Sequence, residues 1–341
     1  MNSQKPPLPA LLLALLTAGS LAAQVELTDN VAISGFVNGV YVHKDKSGVT
    51  TEELKLDEAE IDLIFNLDIV SGEIHMHTNG SDNVELEQAF ATLDFGKGIS
   101  VSAGRFLSLL GFESDETVNR FTRSYAYDLS NPIPLYNDGV NVKAVTDMGW
   151  LSLSLLDEVW NGYGPGDVND GAMGVEIQAG LTTQQGLTAV VGYGGQDTGD
   201  STNPSAEILN VWVSYETGAF IFAAEYNDFS YASKMGVSNP LFRNDGTRSS
   251  VAKGALTGEV NKGNAFLLLA HYAANDNLSF TARYAEEDLD TGDDSKKWTI
   301  SPKYSFTDNF AGRLEYSRTD LEQGGTSEDV DFFSVEAIFT F

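Results

Sequence analysis

Residues 297–341 read KWTISPKYSFTDNFAGRLEYSRTDLEQGGTSEDVDFFSVEAIFTF. Within them Trp298, Ile300, Pro302, Tyr304 and Phe306 alternate with Thr299, Ser301, Lys303 and Ser305. Successive side chains of a strand point to opposite faces, so this alternation sorts an apolar face from a polar one. A short link, Thr307-Asp308-Asn309, leads into a second such segment, and a longer polar link, residues 320–329, leads into a third. That last segment carries Phe333, Val335, Ala337, Phe339 and Phe341 on one face and ends on the aromatic itself. Short and long links in alternation, joining strands with one apolar face, are the pattern of a barrel that crosses an outer membrane.

The same pattern extends through most of the chain. Strands are expected near residues 31–43, 56–67, 73–79, 84–95, 99–106, 138–145, 150–160, 171–181, 187–194, 207–215, 219–229, 264–272, 278–286, 297–306, 310–318 and 330–341. That is about 16 strands, within a range of about 14–18, and an even number returns both termini to the periplasmic side. The expected fold is all-β: a single closed antiparallel transmembrane β-barrel with short periplasmic turns and long acidic extracellular loops. The long links include residues 44–53, 162–170, 195–205, 288–296 and 320–329. Pro302 removes a ladder donor inside a closed sheet, which predicts a bulge there. Aromatics near segment ends, among them Trp150, Trp160, Phe220, Tyr272, Phe306 and Phe310, are expected to form interfacial girdles.

The N-terminus reads as an export signal. Lys5 precedes an apolar run from Leu8 to Ala18 broken by Pro9, and Ser20-Leu21-Ala22 offers small residues for a peptidase. Residues 1–22 are therefore expected to be a signal peptide cleaved after Ala22, and residues 23–341 the barrel. There is no cysteine, so export brings no disulfides. With 49 acidic against 20 basic residues and a net charge of −29, nucleic acid is excluded as a partner. No apolar run after the signal is long enough for a membrane-spanning helix.

A barrel of about 16 strands encloses a water-filled lumen. Inward ionisable residues would then line it: Lys143, Arg283, Lys303 and Arg313 on the basic side, and Glu58, Glu60, Asp62, Glu176, Glu225 and Glu315 on the acidic side. The long link 107–137 carries Glu113, Asp115, Glu116, Arg120, Arg123 and Tyr125 and is a candidate constriction loop. The face Phe333, Val335, Ala337, Phe339 and Phe341 is a candidate signal for the barrel-assembly machinery. His75 and His77 share a face if extended, but no third ligand is evident nearby, so no metal is expected. No nucleophile–base arrangement stands out, so neither enzymatic activity nor a cofactor is expected.

Further motifs lie in one region: Ala103-Gly104-Arg105-Phe106, Gly111-Phe112-Glu113, Arg123-Ser124-Tyr125, Pro132-Ile133-Pro134 and Gly139-Val140-Asn141-Val142-Lys143. Together, over roughly residues 99–145, they resemble the OmpL-like group of β-barrel porins. Asn137-Asp138 stands where that group has a different polar pair, and elsewhere the resemblance holds by pattern. It implies an outer-membrane porin passing small hydrophilic solutes or ions, amid outer-membrane lipid and lipopolysaccharide, and by analogy a homotrimer. The competing expectation is a structural or adhesive barrel with a plugged lumen, whose acidic loops bind cations or a partner. If it is a channel, the acids of the long links favour cations, against the basic wall of Arg283, Lys303 and Arg313.

Overall fold

In the computed structural model the described residues are 24–80, 83–130, 132–160, 173–196, 206–234 and 256–341. The expected signal peptide and the acids Asp167, Asp170, Asp197 and Asp200 lie outside them. The strands are β1 (Val25–Thr28), β2 (Val31–Lys46), β3 (Val49–Leu67), β4 (Val70–Thr78), β5 (Glu85–Asp94), β6 (Ile99–Leu107), β7 (Tyr136–Thr146), β8 (Gly149–Leu156) and β9 (Gly174–Thr182). There follow β10 (Leu187–Gln196), β11 (Ala206–Thr217), β12 (Phe220–Lys234), β13 (Leu256–Ala273), β14 (Leu278–Leu289), β15 (Asp294–Thr307), β16 (Phe310–Gln323) and β17 (Thr326–Thr340). Each strand from β2 to β17 pairs antiparallel with its sequence neighbours, and β17 pairs with β2 to close the ring. All sixteen expected strands are present. The extra strand, β1, pairs with the start of β2 at Val25↔Ile33. There it continues the seam past Phe341, whose backbone bonds with Gly35 in both directions.

One outer face is apolar along nearly every strand. Leu151, Leu153 and Leu155 on β8 and Phe333, Val335 and Phe339 on β17 are exposed, while Ser152, Ser154, Ser334 and Glu336 between them are buried inside. An apolar surface of that extent suits lipid and not water. Rings pair toward the short-turn end, Phe220 with Tyr272 at 4.7 Å and Tyr304 with Phe306 at 5.0 Å.

Three features differ from the sequence expectation. Residues 44–53, 288–296 and 320–329 are strand for most of their length and close through turns as short as Ser47-Gly48 and Gly324-Gly325. These hairpins extend past the lipid-facing apolar band; at Val49–Glu53 and at residues 322–327 both faces are exposed. Trp150 and Trp160 are not girdle residues: both are buried in the interior. Trp150 lies over its cross-strand partner Gly180, where any added Cβ would run into its ring, and its Nε1 donates to Gln178 Oε1. Pro302 makes no bulge, since the β15–β16 register is the same at Ile300↔Tyr316 and Lys303↔Arg313. Its missing N–H is replaced by the Ser301 hydroxyl, which donates to the Leu314 carbonyl at 2.9 Å.

Candidate functional site: a loop folded into the barrel

The chain leaves β6 at Leu107 and returns at Tyr136, and the described residues between lie inside the ring. Of the described residues of this loop, Asn119 is the one that is exposed. The entry turns at Gly111, with φ of +96°, where an added Cβ would lie 2.9 Å from Ile133 Cγ2. Phe112, Phe121, Leu129 and Ile133 pack against an apolar interior cluster that includes Leu110, Tyr127, Trp160, Ile208, Phe229 and Leu267.

A buried irregular segment must find partners for its backbone polar groups. Here the barrel wall supplies them, sorted by charge. Wall carboxylates accept from loop N–H groups. Glu176 takes Leu109 N at 3.0 Å and the Ser108 hydroxyl at 2.6 Å. Glu225 takes Phe112 N at 2.8 Å and the Tyr127 hydroxyl at 2.9 Å. Glu315 takes Arg123 N and Ser124 N, and Glu287 takes Leu129 N and Ser130 N at 2.7 Å each. Wall cations donate to loop carbonyls. Arg283 reaches Ser124 O at 2.8 Å and Tyr125 O at 2.9 Å, Lys297 reaches Tyr125 O at 3.0 Å, and Arg313 reaches Arg120 O at 2.8 Å. Burial, with Glu225, Glu113 and Glu287 nearby, holds the Tyr127 phenol well above its usual pKa, so it stays a donor.

The ionisable residues singled out in the sequence are thereby placed. Glu60, Asp62, Glu176, Glu225, Arg283, Arg313 and Glu315 are buried, and most of them lie beneath the loop and not against open solvent. Lys143 is half-buried on the inward face of β7, and Lys303 Nζ lies 3.5 Å from Val118 O. A bulge on β3 opposite Asn38 and Gly39, with Asp57 as the extra residue, turns both Asp57 and Glu58 inward. Glu58 Oε2 accepts from Thr117, and Asp57 Oδ1 from Arg123 Nη2 at 2.7 Å. Within the loop, Glu113 pairs with Arg283 and accepts from Ala126 N, and Asp115 accepts from Tyr136 and Tyr125. Arg120 sits 4.0 Å above the Tyr125 ring. Arg313 pairs with Glu336, and Arg123 Nε lies 3.8 Å from the same carboxylate.

Sequence reasoning missed Glu287, Lys297, Glu336 and Asp57. The first two were legible by parity, since Glu287 shares a face with Arg283 and Lys297 with Lys303. Asp57 was not, because only the bulge turns it inward. Arg105 of the Gly-basic-Phe motif faces outward and forms a two-bond pair with Asp138, at 2.8 and 2.7 Å, tying β6 to β7.

The family model described as "Putative beta-barrel porin-2, OmpL-like" matches residues 30–341, nearly the whole barrel. The chain belongs to this family. Solved porins share the fold of this OmpL-like porin. The anion-selective porin of Comamonas acidovorans aligns with a TM-score of 0.67 at 12% identity, covering 91% of this chain and 99% of that one. OmpF of Salmonella typhi, in complex with daunomycin, aligns with a TM-score of 0.67 at 15% identity, covering 94% and 100%. OmpT of Vibrio cholerae in its trimer form aligns at 0.60 and 13% identity, covering 92% and 100%. No curated protein matches the chain significantly. Family and fold together make this OmpL-like porin an outer-membrane barrel of the channel type.

Proposed function

We propose that the chain is a passive diffusion channel for small hydrophilic solutes or ions, narrowed by residues 108–135, with a preference for cations. The observation that carries this reading is the inward-folded loop, anchored to the wall at both its N–H and its C=O groups. Such a loop sets the width of the passage and leaves the wall continuous. The cation preference follows from how the charges are committed. Arg283 and Arg313 of the wall are each paired with a carboxylate and donate to the loop, and the loop's own Arg123 is paired with Asp57, so little basic charge is left to attract anions. The rim keeps an acidic excess at Asp288, Asp290, Asp293, Asp294, Glu322 and Glu328, partly offset by Lys46 on Glu328 and Lys262 on Asp290. We further propose export through a cleaved signal peptide, assembly through the face ending at Phe341, and a homotrimer like that of the Vibrio OmpT.

A second reading has one observation in its favour. The loop and the apolar cluster fill much of the interior beside β8–β14, as a plug would. Purified, refolded protein in a planar bilayer separates the two. Stable single-channel steps support the channel, and a membrane that stays silent at high protein load supports the plug. A zero-current potential of the sign for anions in a tenfold salt gradient would overturn the selectivity.

A further inference from the structure

Two histidines lie outside the anchoring set. His75 and His77 are two apart on β4, and both rings are buried inside the barrel. The register of β3 with β4 sets Asp62 opposite His75 and Glu60 opposite His77. His75 Nδ1 stands 3.2 Å from Glu60 Oε1 and 3.1 Å from Asp62 Oδ1, and its Nε2 is 3.0 Å from Glu73 Oε2. His77 Nδ1 meets Glu58 at 3.3 Å and Glu87 at 2.9 Å. The third ligand that the sequence did not offer comes from the loop. One oxygen of Glu116, one of Glu60 and a nitrogen of His75 lie within 4.8 Å of one another, and all three residues are buried.

A proton shared between Glu60 and Asp62 can pair those two carboxyls, but it does not relieve the crowding of carboxylates around the histidine. An imidazole nitrogen carries one proton at most, yet two carboxylates converge on His75 Nδ1. Glu60 Oε1 takes that hydrogen bond. Asp62 Oδ1 and the other oxygen of Glu60 are buried with no hydrogen-bond partner, on side chains 5% and 2% exposed. An unpaired buried carboxylate oxygen is costly. A cation held by His75, Glu60 and Glu116 would neutralise the converging carboxylates. Ligands about 2.0–2.2 Å from a tetrahedral ion stand about 3.3–3.6 Å apart. The spacings from His75 Nδ1 to both oxygens are close to that edge. One imidazole nitrogen with carboxylate oxygens suits an ion of the zinc class better than calcium, which takes oxygen alone.

We propose that His75, Glu60 and Glu116, with Asp62 beside them, bind a divalent transition-metal ion of the zinc class, making the long loop one of its ligands. The ion would fasten the loop to β3 and β4, on a side of the barrel that the Arg283 wall does not reach.

The test uses the full refolded chain, stripped with EDTA and checked for the heat-dependent gel shift of a closed barrel. Zinc is titrated in excess calcium, which occupies the exposed acids of the rim. The expected result is zinc retained against calcium, with affinity falling more than about tenfold in His75→Ala and in Glu116→Gln. Glu322→Gln, at the rim, should bind as the parent does. Zinc displaced completely by calcium, or held equally by His75→Ala, overturns the proposal. Should the variants fail to close, cobalt(II) in the parent chain decides. Strong visible bands of four- or five-coordination support the site, and the weak spectrum of a six-oxygen ion overturns it. None of these readouts needs current, so a barrel that does not conduct would still give a clear answer.

Discussion

Arg283→Ala should release the loop. The Arg283 guanidinium donates to Thr122, Ser124 and Tyr125 and pairs with Glu113, all within a side chain 2% exposed. Truncating one partner of a buried pair costs about 3–5 kcal/mol, chiefly because the other charge is left without compensation. At about 1.4 kcal/mol per tenfold, the released state gains roughly one hundred to a few thousand fold in population. Trypsin reads this directly, because Arg120 and Arg123 are its sites within the loop and are 4% and 0% exposed. The rate of cleavage after these two residues in the closed barrel should rise by that factor, and single-channel current should become larger and noisier. Arg318→Ala is the control. Its charge sits on the same side of the barrel but is about half exposed, and such pairs contribute about 0–1 kcal/mol. Adding Glu113→Ala to Arg283→Ala should recover part of the loss, since no orphan charge then remains. Equal cleavage in Arg283→Ala and Arg318→Ala would refute the idea that wall charges hold the loop.

Gly111→Ala should loosen the loop entry by about 1–3 kcal/mol, from its left-handed φ and the Ile133 contact, seen as faster amide exchange at Phe112; unchanged exchange would count against a strained turn. Ser301→Ala leaves the Leu314 carbonyl with neither the proline N–H nor a hydroxyl, and should lower the unfolding free energy in detergent by about 1–3 kcal/mol. Cation preference should fade as salt rises, because fields at the rim are screened within about 8 Å at physiological ionic strength; a preference that persists in concentrated salt would place the filter deeper than the rim. Deleting Phe341 should reduce outer-membrane assembly far more than Glu322→Gln, measured by surface labelling; equal yields would argue against a terminal signal.

The strands were legible because lipid enforces one apolar face, and Leu151, Leu153 and Leu155 could sit nowhere else. The tall hairpins were not, because at Val49–Glu53 both faces are exposed and the sequence carries no apolar period. Inward charges such as Arg283 and Glu315 could be found by parity. Their partners could not, since Glu315 meets Arg123 and Ser124 across nearly two hundred residues of chain. The same gap hid the surroundings of His75. Two of its carboxylate neighbours come from another strand and a third from the loop, and no local spacing records that meeting.

Much of the wall's grip falls on main chain, which is the same whatever side chain a position carries. The contacts at Leu109, Phe112, Arg123, Ser124, Leu129 and Ser130 use backbone N–H groups, and those at Arg120, Ser124 and Tyr125 use carbonyls. The loop positions whose own side chains the wall does not hold are therefore open to change within a fixed socket. New side chains can be written there to re-shape the passage, provided Ser108, Glu113, Thr117, Arg123 and Tyr127 keep their contacts and no proline falls at the six positions whose N–H the socket needs.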